Sequence, residues 1–134
     1  MVLEKEIGDI LLENNWTLSI AESCTGGYLS HRITNIPGCS EYFIGSYIAY
    51  DEKMKIINLG VNEELLSKFG IYSKEVALDM AEKIRNKTNA SFSLSTTGIA
   101  PPGDINSIEK VGLVYIGFSS KKSNKSIKLQ LNCK

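Results

Sequence analysis

From Val2 to Asn14, apolar residues recur at helical spacing (Leu3, Ile7, Ile10, Leu11) with charges between them, which predicts an amphipathic helix. Asn14-Asn15 ends it. Thr17 to Ala21 alternates and predicts a short strand. Helical spacing returns from Tyr28 to Ile33 and should stop near Asn35, because Pro37-Gly38 breaks it. Glu41 to Tyr50 is rich in aromatic and β-branched residues and predicts a second strand. Asp51 is placed to cap a short helix over Glu52 to Leu59, and Asn62 begins another that ends at Gly70. Ser73 caps the longest helical pattern, Lys74 to Lys87, with the stripe Val76, Ala77, Met80, Ala81 and Ile84. Ser91 to Thr97 and Val111 to Ser119 predict a third and a fourth strand. Lys125 to Asn132 alternates Ile127, Leu129 and Leu131 with polar residues and predicts a half-exposed fifth.

Strands separated by helices indicate α/β layers. Only the turn Lys121-Lys122-Ser123-Asn124 separates the last two strands, so they should form an antiparallel hairpin. The expected sheet is therefore mixed but mostly parallel, with about five strands. No repeat or linker divides the 134 residues, and a single domain over 1–134 is expected.

Charge and cysteine usage narrow the function classes. Fifteen basic and fifteen acidic residues give a formal net charge of zero, which argues against a broad nucleic-acid footprint. No apolar run approaches the ~20 residues of a membrane span. The start, Met1-Val2-Leu3-Glu4-Lys5-Glu6, is charged and does not read as a secretory signal. Cys24, Cys39 and Cys133, with His31 the one histidine, offer no CxxC pair and no second imidazole for zinc. The expectation is a reduced, cytoplasmic protein with no metal and no membrane or nucleic-acid partner.

The stretch Ala21-Glu22-Ser23-Cys24-Thr25-Gly26-Gly27 carries the candidate chemistry, at the point where a strand hands over to a helix. Amides at a helix start lack intrahelical partners, and glycines let a ligand approach the backbone. Ser23 is the candidate nucleophile, with amides from Cys24 to Gly27 as donors to a developing oxyanion. His31 lies two turns into the following helix, which argues against a Ser–His–Asp triad. A lysine can serve as base if burial lowers its pKa from ~10.4 towards ~7–8. Lys53 and Lys55 both follow the second strand, and spacing alone does not choose between them. Tyr47 and Tyr50 end that strand and could exclude water. Thr96-Thr97-Gly98 places further hydroxyls and a free backbone at a strand end, where ligands collect in α/β sheets. By pattern alone, Ser23 to Thr25 is equally a helix cap, Cys24 a small buried hydrophobe, and the tyrosines strand core.

Together these pieces resemble the C-terminal domain of the CinA (competence/damage-inducible) family, which includes nicotinamide mononucleotide deamidases. The likeness rests on the 21–27 stretch, on Pro37-Gly38-Cys39-Ser40, on Gly45 to Tyr50 with Lys55 five residues on, and on Thr97-Gly98-Ile99-Ala100. It implies a three-layer α/β/α sandwich, often dimeric. It also implies hydrolysis of the nicotinamide carboxamide of the mononucleotide to the acid and ammonia, with no metal and no cofactor. By the same resemblance Ser23 is the nucleophile, Lys55 the base and Tyr50 its companion. Cys24, Thr25, Gly26, Gly27, Thr97 and Gly98 then line the substrate site. Two segments depart from the family pattern: Pro101-Pro102-Gly103-Asp104, where the family has Gly-Pro and then Gly-Gly, and Glu109-Lys110-Val111-Gly112, where it has Lys-Pro-Val-Gly. The family's Gly-Asp-Arg type turn and long terminal helix after the last strand are also missing from this sequence. A second reading follows from these departures: a non-catalytic member that binds a nucleotide or a protein partner.

Overall fold

The computed structural model describes residues 3–101, 103 and 111–132. Along the chain run α1 (Leu3–Asn14), β1 (Leu18–Glu22), α2 (Tyr28–Thr34), β2 (Phe43–Ile48) and α3 (Glu52–Met54), the last continuing into a π-helical turn at Lys55–Leu59. Then come α4 (Glu63–Phe69), α5 (Lys74–Thr88), β3 (Phe92–Gly98), β4 (Leu113–Ser120) and β5 (Asn124–Gln130). The spatial order in the single sheet is β2-β1-β3-β4-β5. β1 pairs in parallel with β2 and β3, while β3–β4 and β4–β5 are antiparallel. The sheet is mixed, as expected, but two pairings of each kind replace the expected parallel majority. The reason is that β4 follows β3 on its free edge without a covering crossover helix among the described residues. Pro102 and Asp104 to Lys110, which include much of the departing loop, lie outside the described residues, as does Cys133.

Each face of the sheet carries its own core. On one, Ala21 packs with Leu59, Val61, Leu66, Val76, Met80 and Ile84, beneath α4 and α5. On the other, Leu18 and Ile20 pack with Leu11, Ile33 and Tyr42, beneath α1 and α2. Helices on both faces give the three layers. Arg32 and Glu4 form an ion pair that ties α2 to α1.

α5 lies close against the sheet because the strand residues beneath it are small and hydroxylated. Ser93 Oγ donates to the Ala81 carbonyl, Ser95 Oγ to Ala77, and Thr97 Oγ1 to Ile71 at 3.0 Å. The predicted cap is present: Ser73 Oγ accepts from the Val76 amide at 3.3 Å and itself donates to the Gly70 carbonyl. Ser73→Ala removes both bonds. The expected loss is about 1 kcal/mol of stability, read as a lower urea midpoint with unchanged slope.

Candidate active site

β1 is buried over its whole length and delivers Glu22 and Ser23 to the carboxyl edge of the sheet. Ser23 continues the ladder, its amide donating to the Thr96 carbonyl at 3.1 Å, with Thr96 Oγ1 at 3.3 Å. Gly26 and Gly27 then turn the chain at φ of 60° and 104°, left-handed values that a side chain tolerates poorly, and α2 begins.

The second element comes from the far side of β2. Asp51 caps α3 by accepting from the Lys53 amide at 2.7 Å. The wide turn that follows rotates Lys55 inward, whereas Lys53 stays exposed. Lys55 is 0% exposed and Ser23 4%. Lys55 Nζ lies 2.8 Å from Ser23 Oγ, 2.7 Å from the Ala49 carbonyl oxygen and 2.9 Å from that of Tyr50. Burial lowers its pKa from the ordinary lysine value to about 8, against the smaller opposing pull of Cys24, Asp51 and Glu52. The geometry serves both protonation states. An ammonium donates to all three oxygens. A neutral amine donates to the two carbonyls and accepts the Ser23 proton with its lone pair.

Tyr50 thus meets the lysine through its main-chain carbonyl, and its side chain is 68% exposed. Thr97 does not face the serine: strand alternation sends its hydroxyl to the other face, where it donates to the Ile71 carbonyl in the connection between α4 and α5. Thr96 supplies the hydroxyl at this edge, meeting the Ser23 amide and, at 2.8 Å, the Thr25 hydroxyl. The Leu94–Thr96 spacing was the available signal, since Ser93, Ser95 and Thr97 share the opposite face. Gly98 sits at the end of β3 opposite Val114, where a Cβ would come 2.8 Å from Val114 Cα. Its glycine is required by β3–β4 packing.

The expected amide donors are fewer than the sequence suggested. Gly26 N donates to the Ser23 carbonyl at 3.1 Å and Tyr28 N to the Thr25 carbonyl at 3.0 Å. The Glu22 carboxylate, 0% exposed, accepts from Gly27 N and Leu29 N through Oε1 and from Ser30 N through Oε2, at 2.9–3.1 Å. It also accepts the Thr25 and Ser30 hydroxyls. Gly26 and Gly27 therefore shape the turn with their amides already engaged. Burial alone would raise the Glu22 pKa, but the hydrogen bonds from Ser30, Thr25 and the Ser30 and Leu29 amides outweigh it and hold the carboxyl below the usual range. Cys24 is half-buried, and burial pushes its thiol up. His31 is exposed on α2.

A cavity of about 380 Å³ opens beside this turn, lined by Cys24, Thr25, Arg32, Thr96, Pro101 and Leu131, among others. A larger one of about 430 Å³ lies between α1 and the sheet, away from Ser23 and Lys55. Among the described residues no group of three or more His, Cys, Asp or Glu is placed to hold a metal, and no helix is long and apolar enough to cross a membrane.

The fold and site define an α/β protein with a buried serine–lysine pair at the carboxyl edge of its sheet. The family model for the CinA C-terminal domain matches residues 1–134, and the chain belongs to that family. It is 45% identical over 121 residues to a putative competence-damage inducible protein of Desulforudis audaxviator, covering 90% of this chain and 29% of that one. A CinA-like protein of Dictyoglomus thermophilum is 46% identical over 116 residues, 87% of this chain and 28% of that one. The chain thus spans under a third of the length of these curated relatives. The crystal structure of the competence/damage inducible protein CihA from Agrobacterium tumefaciens superposes with a TM-score of 0.90 at 31% identity, over 96% of this chain and 78% of that one. An Escherichia coli CinA superfamily protein shares the fold at a TM-score of 0.90 and 23% identity, over 98% of this chain and 76% of that one.

Proposed function

We propose that this chain is a serine–lysine amidohydrolase that deamidates nicotinamide mononucleotide to nicotinic acid mononucleotide and ammonia. The observation that carries the reaction class is the 2.8 Å contact between Ser23 Oγ and a fully buried Lys55 whose pKa lies near 8. Such a lysine is neutral in a useful fraction near pH 8, and a positioned base of matched pKa is what a serine hydroxyl needs. The pair within hydrogen-bonding reach favours catalysis over a purely binding role. The resemblance to the deamidases of this family supplies the substrate.

Neutral Lys55 takes the Ser23 proton as Oγ attacks the carboxamide carbon. The carbonyl oxygen gains the negative charge and meets main-chain amides of the 23–25 turn. Collapse breaks the C–N bond, and the Lys55 ammonium returns the proton to the nitrogen, which leaves as ammonia. Water then hydrolyses the ester on Ser23, with Lys55 again passing the proton.

The test is ammonia release from nicotinamide mononucleotide by the full chain, with a fluorophosphonate label mapped by mass spectrometry. Release is expected, with label on Ser23 and kcat/KM rising as pH passes through about 8, where Lys55 loses its proton. A folded protein that neither releases ammonia nor takes the label at Ser23 overturns the reading.

A further inference from the structure

Beside the serine–lysine pair lies a second fully buried ionisable group that the mechanism above does not use. Glu22 precedes Ser23 directly, and its carboxylate collects five hydrogen bonds from the turn and from the first residues of α2. A helix start would otherwise present these amides to any nearby anion. With Gly26 and Tyr28 bonded to main-chain carbonyls, the amides between Ser23 and Ser30 that have no partner in another described residue are those of Cys24 and Thr25. The Thr25 hydroxyl that donates to Glu22 also meets Thr96, whose own hydroxyl and carbonyl hold the Ser23 amide.

We propose that Glu22 is a positioning residue of the serine centre. Its carboxylate fills the start of α2 and fixes the 23–25 turn, leaving the Cys24 and Thr25 amides as the donors to the oxyanion formed when Ser23 attacks. A substrate anion is then excluded from the start of α2 and must be held elsewhere. The role rests on the serine–lysine reading. It requires a carboxylate in particular: Oε1 accepts from the Gly27 and Leu29 amides and Oε2 from the Ser30 amide, so a glutamine there would set its NH2 against at least one backbone N–H whichever way it turned.

The experiment is steady-state kinetics of Glu22→Gln on nicotinamide mononucleotide, with rates expressed per active site from the fluorophosphonate burst. A turn displaced by a fraction of an ångström should lower kcat by about tenfold to a hundredfold. KM should stay within about twofold, since an oxyanion contact belongs to the transition state, and the pH midpoint near 8 should stay, since Lys55 is untouched. A purely structural role would reduce the active fraction while the rate per active site held. That result overturns the proposal and leaves the serine–lysine reading standing. A wild type without ammonia release or Ser23 label overturns both. Should Glu22→Gln not fold, Ser30→Ala keeps the carboxylate and removes one hydroxyl donor. It should cost about threefold to tenfold in kcat per active site, and an unchanged rate there counts against the proposal.

Discussion

Lys55→Met lowers ammonia release by about a thousandfold or more, while the protein still folds. Methionine matches the lysine stem in length and apolar character but offers no lone pair to the Ser23 proton. The hydroxyl of Ser23, a residue only 4% exposed, then faces a thioether. Residual activity within tenfold of wild type would remove Lys55 from the base role. The same variant tests the burial energetics. An ammonium pushed from the ordinary lysine value of 10.5 to about 8 corresponds to roughly 3 kcal/mol of differential interaction. Below pH 8 both folded and unfolded states carry the proton. Between about 8 and 10.5 the unfolded chain still binds it and the folded one does not, so stability rises with pH over that window. The difference between wild type and Lys55→Met isolates this slope from other groups that titrate there, such as Tyr42, whose phenol burial pushes up. Urea unfolding at pH 7.5 and 10, as order-of-magnitude brackets of that window, should show the wild type gaining on the variant. A constant gap would mean that the lysine is not protonated against a burial penalty.

Gly117→Ala destabilises the fold by about 3 kcal/mol, enough to lower the melting temperature by roughly 10 °C. Gly117 lies on β4 opposite Ser95, directly under α5. A Cβ there would overlap the Ala77 carbonyl oxygen and the Ser95 hydroxyl and approach the Ala77 carbonyl carbon to 2.7 Å. Those two oxygens are already bonded to each other, so the added carbon must displace backbone and break a buried hydrogen bond together. The backbone cannot rotate away as a long side chain would. A melting temperature within a degree or two of wild type would show that α5 can lift from the sheet at little cost.

Much of this protein was determined locally. The α5 stripe of Val76, Ala77, Met80, Ala81 and Ile84 is buried as its spacing requires. Asp51, Asn62 and Ser73 cap the helices they precede. Ser23 stands at the strand-to-helix handover, and Gly26 and Gly27 take the positive φ values that make it turn. These features depend on residues within a turn or two of one another, so side-chain period and backbone freedom suffice to read them.

Other decisions were made only in three dimensions. Lys53 and Lys55 were equivalent by spacing until the π-helical turn buried one and left the other in solvent. Thr96 and Thr97 are adjacent, yet the register of β3 against β1 and β4 puts one hydroxyl at the serine and the other on the opposite face, against the Ile71 carbonyl. Glu22 stood just past the predicted strand with no role assigned to it, and it closes the helix start that its own sequence context advertised as open. Lys55 reaches Ser23 across 32 positions of chain. Contacts of that span follow from strand order and parallel register, which place the ends of β1 and β2 side by side. A local pattern fixes which way a side chain points along its own element. It cannot fix what stands opposite, because that depends on which elements the sheet makes neighbours.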